Sequence, residues 1–191
     1  MKKHLILMTI LAFTLFTGTA LAANRGDQIT PGTMMFGGTV YYQQRTISDD
    51  NDMDSTIKTM SFSPTLGYFL VSNIALLANF QYTTVDYEGG ASADTVGLGF
   101  GAGFYIPKGV ACFYMSALFE FQSTDQGNDN GYTAYGLSLK AGVLFMMGRN
   151  WGLDTGVKFS YLMGTNEQGG VETDSSFNDF TIGYLGIQAF F

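Results

Sequence analysis

The side chain on which most acid–base and nucleophilic catalysis relies is nearly missing from this chain. Its one histidine is His4, inside a segment that reads as a removable leader. A Ser-His-Asp or Asp-His site therefore cannot be built from what remains. The charged groups left for chemistry are Glu120, Lys140, Asp154 and Lys158. On the strand reading below, all four project from the same side of three successive strands. Charges confined to a narrow interior need partners. The expectation is a lumen charge network that plugs the interior, and the other reading is a gate or ion path. Asp50-x-Asp52-x-Asp54 begins like a calcium loop but lacks the glycine and the distant glutamate such loops use. A solvated acidic loop is the better reading. The lone Cys112 reads as an inert packed thiol. No catalytic residue, cofactor or metal ligand is expected.

The elements that position these residues are clearest at 95–106, TVGLGFGAGFYI. Val96, Leu98, Phe100, Ala102, Phe104 and Ile106 alternate with Thr95, Gly97, Gly99, Gly101, Gly103 and Tyr105. Only a strand sends alternate residues to opposite faces. A soluble sheet would put long polar side chains opposite the apolar ones. Here the second face is nearly bare. That suits the inside of a small barrel, where side chains from every strand converge. The apolar face then looks outward, and it needs lipid.

The start of the chain reads as a secretion signal over 1–22. Lys2 and Lys3 are followed by a short apolar run, 5–16, and by an Ala20-Leu21-Ala22 cleavage site. The run is shorter than the roughly 20 apolar residues of a membrane helix. The domain expected is 23–191. Loss of the leader takes the net charge from −7 to about −9. With no basic patch, nucleic acid is excluded as a partner.

Period-two patterning predicts strands over 33–46, 56–70, 74–87, 95–106, 110–123, 132–147, 151–163 and 177–191. Outward faces carry residues such as Val40, Phe62, Leu76, Phe119, Leu137, Phe159 and Leu185. Inward faces carry Thr39, Ser63, Asn79, Ser116, Ser138, Ser160 and Gln188, together with the four charges. Three tight turns at 71–73, 107–109 and 148–150 alternate with longer loops at 47–55, 88–94, 124–131 and 164–176. Pro64 removes a ladder donor, and a bulge is expected there. Long strands in even number, with short turns on one side and long loops on the other, define an all-β fold: an eight-stranded antiparallel up-and-down transmembrane β-barrel. A soluble β-sandwich would leave its apolar faces in water. Tyr42, Tyr82, Phe121, Tyr161 and Phe177 near the loops, and Tyr68, Phe104, Phe113, Phe145, Trp151 and Phe191 near the turns, predict two interfacial girdles. Inward Leu77, Val85, Leu118, Leu144 and Leu162 read as filling, or else as lining a path for small hydrophobic molecules.

The segment SFSPTLGYFLVSNIALLANF, 61–80, and the terminal Phe191 resemble small outer-membrane β-barrel proteins of the eight-stranded OmpX and OmpA transmembrane-domain group. The resemblance implies location in the outer membrane of a Gram-negative bacterium and recognition of Phe191 by the outer-membrane assembly machinery. It also implies contact with lipid and lipopolysaccharide, to whose phosphates divalent ions could bridge the acidic loop. It implies no chemistry, because this fold hosts many roles. The expected role is non-catalytic, structural or surface-interacting, in a monomer. The alternative is a narrow pore or transporter for small hydrophobic molecules.

Overall fold

The computed structural model describes residues 29–48, 54–87, 92–127, 130–168 and 171–191. The leader expected over 1–22 and Asp49, Asp50 and Asp52 lie outside these residues. Eight strands follow in chain order: β1 (Met34–Ser48), β2 (Asp54–Val71), β3 (Ile74–Tyr87), β4 (Ser92–Lys108), β5 (Ala111–Gly127), β6 (Asn130–Met146), β7 (Trp151–Gln168) and β8 (Val171–Phe190). Each pairs antiparallel with the next, and β8 returns to β1, closing the barrel. Closure matters because a sheet edge in hydrocarbon would leave backbone groups unsatisfied.

The alternation sorts side chains as the sequence does. Leu98, Phe100, Phe119, Leu137, Leu139 and Leu185 are exposed on the outer wall, whereas Tyr114, Glu120, Ser138, Asp154, Ser160 and Gln188 are buried within. A large apolar surface turned away from the core needs a hydrocarbon surround. These outward leucines and phenylalanines do not form the inner layer of a two-sheet sandwich, because the strands make one closed barrel. Tyr42, Tyr68, Phe104, Phe113, Phe121, Phe145, Trp151, Tyr161 and Phe191 are all exposed on the outside.

The bare face of β4 has a steric purpose. Gly99 lies between Asn79 of β3 and Glu120 of β5. A Cβ at Gly99 would stand 3.3 Å from Glu120 Cγ and 3.5 Å from Asn79 Cβ. At Gly103 it would stand 3.0 Å from both Leu77 Cδ1 and Tyr105 Cε2. The glycine strand thus leaves space that long side chains of its neighbours occupy.

Three expectations are corrected. No bulge occurs at Pro64: the β1–β2 register runs through Gly38–Pro64 unbroken. On the other side the β2–β3 pairing skips Ser63 and Pro64 and resumes in the same register. Where that pairing is skipped, Asn79 Nδ2 donates to the Pro64 carbonyl at 2.9 Å and lies 3.0 Å from both Ser63 Oγ and Thr65 Oγ1, so a side chain satisfies the acceptor on this stretch. The register shifts lie elsewhere, at Phe69/Val71 beside a turn, at Asp125/Gly127 near the loop end and facing Gly156/Val157. Second, the loops at 124–131 and 164–176 are largely strand: β5 and β6 pair out to Gly127–Asn130, and β7 and β8 out to Gln168–Val171. Their Thr, Ser, Asn and Gln residues look like turn formers. An antiparallel ladder needs only backbone, however, so the hairpins continue past the apolar belt into a polar zone.

The third correction concerns β8. The bulge at Gly183, in the left-handed region with φ +75, makes β7 pair Gly156 with Tyr184 and Val157 with Ile182. One residue is skipped, so the faces exchange. Tyr184, Gly186, Gln188 and Phe190 are buried on one side of the bulge, while Phe180 and Ile182 are exposed on the other. A single alternation carried along 177–191 misses this. A charge on the lipid wall tests the orientation. Leu137→Arg is expected to lower unfolding stability in lipid vesicles by about 2–4 kcal/mol. Thr173→Arg, beyond the belt on β8, is expected to change the urea midpoint little.

Candidate functional site

The lumen is built in layers from the turn end upward. The lowest layer is apolar and aromatic. Met35, Phe69, Ala75, Leu77, Tyr105, Cys112, Tyr114, Leu144 and Phe190 form one buried cluster. Phe69 and Tyr105 meet edge to face with centroids 5.2 Å apart, and Tyr105 stacks on Tyr114 at 5.4 Å. Phe190 stands edge-on to Tyr105 at 6.5 Å. The Tyr105 hydroxyl donates to Met35 Sδ at 3.2 Å. Strands from opposite sides of the barrel thus meet across its axis and seal the turn end. Leu77, Leu118, Leu144 and Leu162 are buried here or just above.

Above this seal, Asp154 of β7 collects donors from three other strands. Lys140 Nζ of β6 lies 3.0 Å from Oδ2, and Gln188 Nε2 of β8 donates to the same oxygen at 3.0 Å. The Tyr114 hydroxyl of β5 donates to Oδ1 at 2.6 Å, and Tyr114 and Tyr184 share a hydrogen bond. Lys140 also sits over the Tyr184 ring, 4.2 Å from its centroid. Asp154 is 2% exposed. A carboxylate buried this deeply is tolerable only with such a full set of donors.

One layer higher, Lys158 Nζ of β7 lies 2.9 Å from Glu120 Oε1 of β5 and donates to Oε2 at 3.2 Å. The register explains these pairs. Lys140 faces Lys158 directly across β6–β7, and two ammonium groups there would repel. Each reaches a carboxylate instead: Lys140 the Asp154 four residues before Lys158 on β7, and Lys158 the Glu120 of β5, beyond β6. The structure therefore brings Glu120, Lys140, Asp154 and Lys158 into one stacked lumen network of two ion pairs. Sequence reasoning missed Phe69 and Phe190 as the seal, and Tyr114, Tyr184 and Gln188 as partners of Asp154. Parity held the signal: Phe69 shares a face with Ser63 and Gly67, and Phe190 with Gln188. Phe191 is outside the network, at the turn-end rim, where its backbone exchanges hydrogen bonds with Met34 at 2.9 and 2.8 Å.

The other half of the lumen is not filled. A cavity of about 530 Å³ runs from Tyr114, Glu120 and Lys158 across to hydroxyls and amides of β1, β2 and β3, among them Thr39, Ser61, Ser63, Asn79 and Thr83. Ser61 and Thr83 share a hydrogen bond of 2.8 Å. A second, smaller hollow of about 390 Å³ at the loop end is lined by Gln81, Thr95, Gln122, Thr124, Tyr132 and Asn166.

A closed eight-stranded up-and-down barrel with an apolar outer wall and a sealed polar interior defines a transmembrane β-barrel of the outer-membrane type. Solved structures similar to it are of that kind. The outer membrane protein OprG from Pseudomonas aeruginosa aligns over 88% of this chain and 99% of its own, with a TM-score of 0.54 and 12% identity. Neisserial surface protein A, NspA, aligns over 84% and 97%, with a TM-score of 0.53 and 17% identity. The outer membrane protein AlkL, solved in lipid bilayers, aligns over 91% and 94%, with a TM-score of 0.51 and 14% identity. The chain matches no protein-family model and no curated protein. The likeness is one of fold.

Removing one member of the lower ion pair tests the network. Lys140→Ala leaves Asp154 buried with only neutral donors, and about 3 kcal/mol of unfolding stability is expected to go. Lys108→Ala, at the exposed turn end, serves as the comparison. Equal urea midpoints for the two variants in detergent would contradict the network.

Proposed function

We propose that this chain is a non-catalytic integral protein of the Gram-negative outer membrane, with a structural or surface-interaction role and no through-channel. The observation that carries the reading is the aromatic seal of Phe69, Tyr105, Tyr114 and Phe190 with Asp154 and its donors stacked on it. An eight-stranded barrel has an interior just wide enough for its own side chains, and here they meet across the axis. The paired charges of Glu120, Lys140, Asp154 and Lys158 cancel each other where they cross the bore. The outer wall makes lipid and lipopolysaccharide its surroundings, and Phe191 at the rim fits recognition by the assembly machinery. The closed ladder at the turn end supports a monomer. A mature chain without histidine supports the absence of catalysis.

Transport of small hydrophobic molecules is the second reading. It is favoured by one feature: the outward-facing Phe180 and Ile182 border the same cavity as Lys158 and Glu120. The hydroxyls and amides that line most of that cavity suit a free hydrocarbon poorly.

Planar-bilayer recording separates the readings. The unaltered protein is expected to give no steady openings. The double variant Phe69→Ala/Tyr105→Ala, which removes the seal, is expected to conduct. Steady openings in the unaltered protein would overturn the proposal.

A further inference from the structure

The barrel is closed unevenly. β1 and β8 pair from Met35–Phe190 to Thr39–Gly186 and no further among the described residues. Beyond that point β1 continues to Ser48 with β2, and β8 stays with β7 back to Val171. The Gly183 bulge lies just past the last pair and turns β8 away. At about 3.3 Å per residue and a tilt of about 40°, the two strands part roughly 10 Å above the rim, inside an apolar belt about 25 Å tall. Unpaired backbone at that depth is tolerated only where it borders a polar cavity or is covered.

The cavity reaches this seam. It is bordered by Ser61, Gln81 and Gln188 within the lumen, by Tyr41 and Thr181 on the two parting strands, and by Phe180 and Ile182 at the lipid side. Phe180 is 61% and Ile182 72% exposed, and Val40 across the seam is 61% exposed. One continuous space thus has a hydroxyl- and amide-lined inner end and an apolar outer end. Its size lies in the usual range for small-molecule sites. Lys140 and Lys158, which border the cavity, are already paired, so an anionic guest would have to break an ion pair. Gln188 Oε1 is buried and without a partner among the described residues. It is an acceptor waiting for a donor, and a hydroxyl would supply one.

We infer that the seam between β1 and β8 seats a single-chain membrane amphiphile. Its hydroxyl-bearing, non-anionic head occupies the lumen cavity, and its acyl chain leaves between the strands along Phe180 and Ile182. The geometry commits to neither passage nor chemistry: the amphiphile covers the open backbone edges from the lipid side.

Brominated probes and a relocated tryptophan test this in phosphatidylcholine vesicles. Trp151→Phe/Phe180→Trp reports on the seam. Trp151→Phe/Phe100→Trp reports on lipid-facing β4, on the far side of the strand order. Ile182→Trp replaces the first reporter if it does not fold. The probe is a 9,10-dibromostearoyl monoacylglycerol. Quenching at the seam is expected to saturate at a several-fold lower mole fraction than at β4. Thr181→Phe, which fills the cavity, is expected to erase the difference. Equal curves at the two positions overturn the proposal. The same seam preference for a dibromoalkane would mean that the head contributes nothing, and for dibromostearate that charge is accepted; either overturns it. A seam tryptophan shielded from every probe would mean that a second copy covers the edges, and the proposal fails.

Discussion

Every backbone polar group inside hydrocarbon must find a partner within the protein. That constraint organises this molecule. It forces strands rather than loops through the belt, sets them antiparallel between short turns, and brings β8 back to β1. Side chains then follow from the pleat. Whatever lies at even positions of β4 meets lipid, and whatever lies at odd positions must fit an interior shared by seven other strands. Glycine is the answer on β4 because Glu120 and Asn79 already claim the space beside it.

The lumen obeys a second rule derived from the first. A narrow interior packed with side chains has few ways to solvate a buried carboxylate, so Asp154 and Glu120 are solvated by the protein. Asp154 receives Lys140, Tyr114 and Gln188, and Glu120 receives Lys158. The pairs sit on the β5–β8 side, where they fill the bore. Hydroxyls and amides on the β1–β3 side pair locally, as Ser61 does with Thr83 and Asn79 with Ser63. These short side chains leave the cavity. One half of the barrel is therefore a packed polar core and the other a lined hollow.

Most of this was legible in the letters because period two is a strict rule wherever one face is lipid and the other lumen. Val40, Leu98 and Leu137 could face only outward, and Lys140 and Asp154 only inward. What stayed hidden depends on non-local geometry. Pro64 shows a missing donor in the sequence, but not that the ladder runs past it without a bulge while the Asn79 amide, fifteen residues on, satisfies its carbonyl. Gly183 looks like any strand glycine, yet its left-handed backbone exchanges the faces of β8. Strand ends were misjudged at 124–131 and 164–176, since residue preference weakens once a ladder has begun. Phe69 and Phe190 were readable from parity; that they meet Tyr105 was not, because contacts across a bore depend on tilt and stagger.

The same glycine connects the extremes of the structure. A regular β8 would have kept pairing with β1 and closed the wall to its full height. The skipped residue at Gly183 instead commits β8 to β7, which it follows to the loop end. The ladder is thus complete near the rim, where the aromatic seal also lies, and incomplete beside the hollow half of the lumen. Seal and seam lie at different heights, so an opening in the wall need not become a channel through it. The cavity that reaches the seam is bordered on its far side by Tyr114, Glu120 and the two lysines. The molecule closes where its bore would leak, and it parts only where its interior is already polar enough to tolerate the exposed backbone.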